Sequence, residues 1–179
     1  NLVGPGGSGK SHLARIWAEQ ASAQFIGAAE LDRVGTGQAA VLDDVVALDA
    51  HQQAALFHLY NRLVSGGALL LVSEQPLSRM TVTTPDLASR LRAVPVVEIS
   101  PPDDALLEAV LRKRFDDRQL GVEQAVIDYI LSRIDRSFSA IEAIVVELDR
   151  RAFAQKRAVT VPLTREVLAV LNQQFSFDI

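Results

Sequence analysis

The residues Gly4-Pro5-Gly6-Gly7-Ser8-Gly9-Lys10-Ser11 satisfy the pattern G-x-x-x-x-G-K-[ST] at every fixed position. Each residue type answers a need of phosphate binding. Glycines let a backbone turn sharply and point its N–H groups at phosphate oxygens. In this pattern the Lys10 ammonium reaches the β- and γ-phosphates, and the Ser11 hydroxyl holds Mg²⁺. A helix starting at Ser11 sets its positive end beneath the anion, with His12 in the same first turn, so the expected binding set runs from Gly4 to His12. Gly4, Gly6 and Gly9 also fit the dinucleotide pattern G-x-G-x-x-G, but that pattern leaves Lys10-Ser11 unexplained. A phosphate loop needs an acid from a neighbouring strand, and the apolar run Ala39-Ala40-Val41-Leu42 ends in Asp43-Asp44. Asp43 is expected to hold the magnesium through water and Asp44 to polarise an attacking water. The alternative for this pair is a cap on a strand-to-helix turn.

Those residues must be placed by strands and helices. Asn1-Leu2-Val3 reads as the end of a buried strand leading into the loop, and Leu13, Ile16, Trp17 and Ala21 form the apolar stripe of the helix after it. Ala39–Leu42, Ala68–Val72 and Val96–Ile99 read as further strands, with an amphipathic helix marked by Leu56, Leu59, Tyr60 and Leu63. This alternation predicts a parallel α/β sheet over residues 1–100. After Pro101-Pro102 only helical stripes follow: Leu106, Leu107, Val110, Leu111 and Phe115; Val122, Val126, Tyr129 and Ile130; Phe138, Ile141, Val145 and Leu148; Val167, Leu168 and Leu171. Residues 101–172 therefore read as a small all-helical domain, and 173–179 as a tail. The interval from Lys10 to Asp43 is short for two core strands and their helices, so either a layer is trimmed or residues between Ala21 and Gly37 are missing.

Composition narrows the class. The chain has 179 residues, 49% apolar and 22% charged, the balance of a folded globular protein. A formal charge of −4 disfavours a free-standing nucleic-acid binder. The absence of cysteine excludes disulfides, thiolate zinc sites and cysteine nucleophiles. His12, His51 and His58 lack metal-ligand spacing, and no G-x-S-x-G elbow is present. No apolar run reaches the roughly 18 residues of a membrane span, and no signal pattern opens the chain, so a cytoplasmic address is expected. Asn1 stands where no initiator Met precedes the motif, so residues upstream are expected as well.

The loop Gly4–Ser11, Val41-Leu42-Asp43-Asp44, Leu69-Leu70-Leu71-Val72-Ser73-Glu74-Gln75-Pro76 and Thr84-Pro85-Asp86-Leu87-Ala88-Ser89-Arg90-Leu91 occur in the order found in DnaA-related AAA+ ATPases. The chain resembles that family over nearly its whole length, and its Pro85–Leu91 stretch resembles the Hda-like group most. The resemblance implies a P-loop AAA+ parallel sheet flanked by helices, followed by a helical lid. It implies that Glu74 is the sensor-1 residue, where the family more often has Asp, and that Arg90 is an arginine finger acting on nucleotide bound by a neighbouring subunit. A guanidinium can neutralise charge developing on a transferred phosphoryl group, and Arg92 is a close rival for the role. Ser139 stands where the family has the sensor-2 arginine. Arg136, three residues earlier, is rotated by about 300° around the helix axis.

Weak or absent intrinsic ATP hydrolysis with stable ADP binding follows from that departure. The implied ligands are ADP or ATP with Mg²⁺. The implied partners are a DnaA-type initiator, the sliding clamp and further AAA+ subunits. The implied function is an ADP-bound regulator of replication initiation that promotes ATP hydrolysis on the initiator in a clamp-dependent way. A DnaA-related adaptor or helicase loader, and the ATPase portion of an initiator without its DNA-binding domain, stay open.

No helix-turn-helix pattern follows the lid, and Arg112-Lys113-Arg114, Arg150-Arg151 and Lys156-Arg157 read as solvated helix faces, so sequence-specific DNA binding is not expected. The final Gln174-Phe175-Ser176-Phe177-Asp178-Ile179 resembles a clamp-binding peptide, with Gln174, Phe175 and Phe177 as its anchors. A frayed end, or one packed on its own lid, is the other reading.

Overall fold

The structure, a computed structural model, describes residues 1–45 and 48–175. The chain divides into two units, Asn1–Ser100 and Pro101–Ile179. In the first, five strands form one sheet: β1 (Leu2–Val3), β2 (Gln24–Ile26), β3 (Ala39–Leu42), β4 (Ala68–Ser73) and β5 (Val97–Glu98). Their spatial order is β2-β3-β4-β1-β5, and every pairing is parallel. The two-residue alternation of strands sorts the core onto two faces. Leu2, Val41 and Val72 pack with α1 (Lys10–Ala21), whereas Ala40, Leu42 and Leu71 pack with α2 (Ala50–Val64) and α3 (Pro85–Ala93).

Two features of this unit depart from the expectation. First, β2 adds a fifth strand, pairing Phe25 with Val41. A parallel crossover needs about a dozen residues, and the β2–β3 link over 27–38 meets that with a 3-10 turn, Leu31–Arg33, instead of a helix. The short interval before Asp43 thus holds a complete strand crossover. Second, α1 lies on the sheet through Ala14 and Ala18, which are buried, while Leu13 and Ile16 remain 45% and 41% exposed. Trp17 is half-buried beside that core. Small side chains bring the helix close to β3 and β4, and the larger apolar residues turn outward.

In the second unit, α4 (Asp104–Asp117), α5 (Gln124–Leu131), α6 (Phe138–Gln155) and α7 (Val161–Phe175) enclose one core centred on Leu111, Phe115, Ile127, Ile130, Ile141 and Ile144. Leu106, expected in it, is half exposed. Asp103 caps α4 by accepting from the Leu106 amide (2.8 Å), and Ser137 caps α6 by accepting from Ala140 (3.1 Å). Two of the three basic clusters are paired with acids of the same unit: Arg112 with Glu108, Lys113 with Asp117, Arg114 with Glu142, and Arg150 and Arg151 with Glu147. Gln174 and Phe175 fall in the last turn of α7, and Phe177 lies outside the described residues. Among the described residues, no helix is long and apolar enough to cross a membrane.

Hydrogen bonds from Arg150 and then Arg151 pull the Glu147 carboxyl from the usual glutamate value near 4.5 down to about 2. A carboxyl depressed in the folded state stabilises above its unfolded pKa, and that contribution is lost as pH falls through the folded value. The urea midpoint of the wild type is therefore expected to drop more steeply from pH 4.5 to pH 2 than that of Glu147→Gln. Parallel profiles would refute the assignment.

Candidate phosphate-binding site

Parallel strands all end at the same edge of a sheet, and β4 lies between β1 and β3. The segments following these three strands are therefore neighbours: the loop from Gly4, the acids Asp43-Asp44, and Glu74. The loop itself is tight. Ser8 donates its amide to Pro5 O (3.3 Å), and Gly7 and Gly9 take left-handed φ angles of 69° and 93°. A Cβ on Gly4 would lie 2.6 Å from Ile99 O, and one on Gly6 would lie 3.0 Å from Glu74 Oε1. The first approach, against backbone, requires glycine, and the second places the Glu74 carboxylate against the loop.

The donors of the loop fit a phosphate group. Gly9 caps α1 without a side-chain hydrogen bond, and among the described residues the amides of Gly6, Gly7 and Gly9 donate to no backbone carbonyl. Ser8, only 5% exposed, has a buried Oγ without a partner among the described residues. A buried polar group of this kind is costly unless something bonds it. Lys10 donates from Nζ to the carbonyls of Gly4 and Pro5, both at 2.8 Å, which holds a positive charge over the start of the loop and leaves one of its three donors. Ser11 and His12 are exposed in the first turn of α1. Cradle, orphaned hydroxyl and ammonium together suit the di- or triphosphate of a nucleotide.

Asp43 and Asp44 are extruded from the ladder. Leu42 pairs with Leu71, and the next β3–β4 bond runs from Val45 N to Val72 O (2.8 Å). The two acids between them form a bulge-like step, a device that re-aims side chains near sites. Asp43 Oδ1 accepts from the Asp44 amide (2.9 Å), and Asp44 sits at φ 56°, which aspartate tolerates. Asp43 is half-buried and Asp44 exposed. As a hard, carboxylate-and-hydroxyl pair, Asp43 and Ser11 have the donor chemistry of a magnesium site.

The turn carrying Glu74 is braced by a residue that no motif marks, Asn1. Asn1 Nδ2 donates to Leu71 O and to Ser73 Oγ (both 3.0 Å), and its Oδ1 accepts from the Leu77 amide (3.2 Å). Ser73 Oγ in turn donates to Gln75 O (2.7 Å). These bonds brace the turn carrying Glu74 against β1.

Arg90 does not touch these groups. Its guanidinium carbon lies 5.1 Å from the ring centre of Phe57 and 5.3 Å from that of Tyr60, both on α2. In the second unit, Ser139 is exposed with its Oγ 3.1 Å from Ser137 Oγ, and Arg136 pairs with Asp104 at 2.9 Å.

Residues 103–168 match the family described as "Hda, lid domain". Among solved structures, domain III of the Thermotoga maritima replication initiation protein DnaA is similar over 94% of this chain and 82% of its own, with TM-score 0.80 and 18% identity. AMPPCP-bound DnaA from Aquifex aeolicus is similar over 86% of this chain and 56% of its own, with TM-score 0.66 and 20% identity. The Thermotoga maritima RuvB Holliday junction branch migration motor is similar over 96% of this chain and 61% of its own, with TM-score 0.73 and 16% identity. The present chain thus spans little more than half the length of two of these three. Residues 103–168 thus match the Hda lid family, and the chain as a whole has the fold of domain III of DnaA.

Proposed function

We propose that this protein is an Hda-like regulator of chromosome replication initiation, acting in the cytoplasm. It binds an adenine nucleotide, ADP in its working state, through Gly4–His12, with Mg²⁺ held by Ser11 and Asp43. It offers Arg90 to ATP bound by a DnaA-type initiator and promotes hydrolysis there. The observation that carries this reading is the joining of a matched Hda lid to a glycine loop in which the Gly6, Gly7 and Gly9 amides and the Ser8 hydroxyl lack protein partners among the described residues. The Aquifex aeolicus DnaA that this fold resembles is bound to AMPPCP, which supports an adenine nucleotide.

A bound nucleotide–magnesium group supplies negative charge for the loop to enclose. The loop amides and Lys10 orient that charge, and Glu74 and Asp44 flank it as acceptors for a water. The first turn of α6 adds no cation: Ser139 stands at the sensor-2 position, and Arg136 is engaged by Asp104. This supports weak hydrolysis at the chain's own site and a role exerted on a partner. In that role the Arg90 guanidinium neutralises charge on the partner's transferred phosphoryl group. Self-association through AAA+ contacts places one subunit's arginine beside another's nucleotide. Tethering to the sliding clamp through Gln174, Phe175 and Phe177 belongs to the same reading.

Replacing Lys10 with Ala is expected to weaken binding of a fluorescent ADP analogue by about 10- to 100-fold, the worth of a charge-assisted hydrogen bond. Wild-type affinity in that variant would remove the site. With clamp, DNA and ATP-loaded initiator present, Arg90→Ala is expected to slow phosphate release by about 10³-fold, the scale of an arginine finger. Undiminished release would remove the role given to Arg90.

A further inference from the structure

We propose that Phe57 and Tyr60 are positioning residues for Arg90, a pair of aromatic faces that order its guanidinium without neutralising it. The inference rests on Arg90 acting as a finger, and it concerns how this chain keeps that side chain ready. Phe57 and Tyr60 stand three residues apart on α2 and so share one helix face. The Arg90 guanidinium carbon is 5.1 Å and 5.3 Å from their ring centres, inside the roughly 6 Å reach of a cation–π contact. All three side chains are half-buried, and among the described residues no carboxylate pairs with Arg90.

The chemistry of the hold matters. A carboxylate would also order the side chain, but it would occupy the N–H fork and cancel the charge that a phosphoryl group requires. Ring faces contact the flat surface of a guanidinium, whose N–H groups lie in its plane and stay available. Arginine carries large rotamer freedom, so ordering it beforehand removes a loss that would otherwise fall on the reactive complex. Arg92, two residues on, is exposed and has no ring beneath it among the described residues.

The same helix also places the backbone of α3. Gln53, buried in α2, donates from Nε2 to Leu48 O (2.8 Å) and Thr81 O (3.4 Å). Its Oε1 accepts from the amide (2.8 Å) and the hydroxyl (2.9 Å) of Thr83, just before α3 begins. Leu87 and Leu91 of α3 then join Leu56, Leu59 and Leu63 of α2 in one core. Backbone and guanidinium of Arg90 are thus referred to a single rigid element.

The test compares Phe57→Leu, Tyr60→Leu and their double variant with the ring-keeping Phe57→Tyr and Tyr60→Phe, all in the full chain. The ¹H–¹⁵N signal of the Arg90 Nε–H, identified by its loss in Arg90→Lys, is expected to be ring-shifted and ordered in the wild type. It should move to the mobile arginine position in the Leu variants and stay in place in the conservative ones. In phosphate release from an ATP-loaded DnaA-type initiator, each Leu variant should lower the maximal rate about tenfold, the scale of a desolvated cation–π contact, with the half-maximal concentration unchanged. The conservative variants should restore it. A mobile Arg90 signal in the wild type overturns the proposal. So does a full maximal rate in the double variant, or a change confined to the half-maximal concentration, which would make the rings mere contact surface. Should Arg90→Lys stimulate as well as wild type, the finger reading fails, and the spectrum alone then judges whether the rings hold the guanidinium.

Discussion

The parallel pairing of β4 with both β1 and β3 is the constraint on which the phosphate site depends. Reversing any one strand would carry its following loop to the opposite edge of the sheet and scatter Gly4, Asp43 and Glu74. The pairing is held in register by side chains far from the loop. Val72 packs with Val41, Ala14 and Ala18 on one face, while Leu71 packs with Leu42 and Leu59 on the other. A slip of one residue would exchange those faces, putting Leu71 against a helix that has room only for alanines. Asn1 adds a polar lock, bonding across from β1 to Leu71, Ser73 and Leu77. The position of Glu74 beside Gly6 is thus a result of core alternation together with one asparagine.

The glycine loop was legible because its chemistry demands particular residue types at fixed spacing, and the structure places those residues on a tight turn between β1 and α1. The α/β sheet and the helical second unit were legible for a similar reason, since Leu111, Phe115, Ile141 and Leu148 recur at helical spacing and all enter one core. What periodicity could not convey is distance. Leu13 and Ile16 of the apolar stripe on α1 face outward because Ala14 and Ala18 meet the sheet, while Trp17 of the same stripe stays half-buried beside that core. β2 was missed because three residues, Gln24-Phe25-Ile26, are too few to show a period, and their identity as a strand comes from the partner β3.

Charges show the same division between local and long-range information. The link from Glu147 to Arg151 spans one helical turn and can be found by counting residues. The Arg114–Glu142 pair joins α4 to α6 and cannot. The basic clusters lie on solvated faces, as counting residues suggests, and the fold adds acidic partners within the same unit for two of them. Asn1, Gln53, Phe57 and Tyr60 had no motif to announce them. Their importance is relational, and only the packing of α2 against α3 and of β1 against β4 makes it visible.

The two ways this chain holds arginine follow from two requirements. In the second unit carboxylates meet several arginines, Glu142 taking Arg114 and Arg118, Glu147 taking Arg150 and Arg151, and Asp104 taking Arg136, whereas Arg133 and Arg165 lie over the Tyr129 ring. Such pairs order both partners and cancel their charge. On the proposed reading Arg90 needs the order without the cancellation, and Phe57 and Tyr60 supply it, because a ring face attracts a cation through its quadrupole and takes none of its hydrogen-bond donors. The partner of each arginine therefore separates guanidiniums whose charge is cancelled within the fold from those, Arg90 among them, that rest on a ring and keep it.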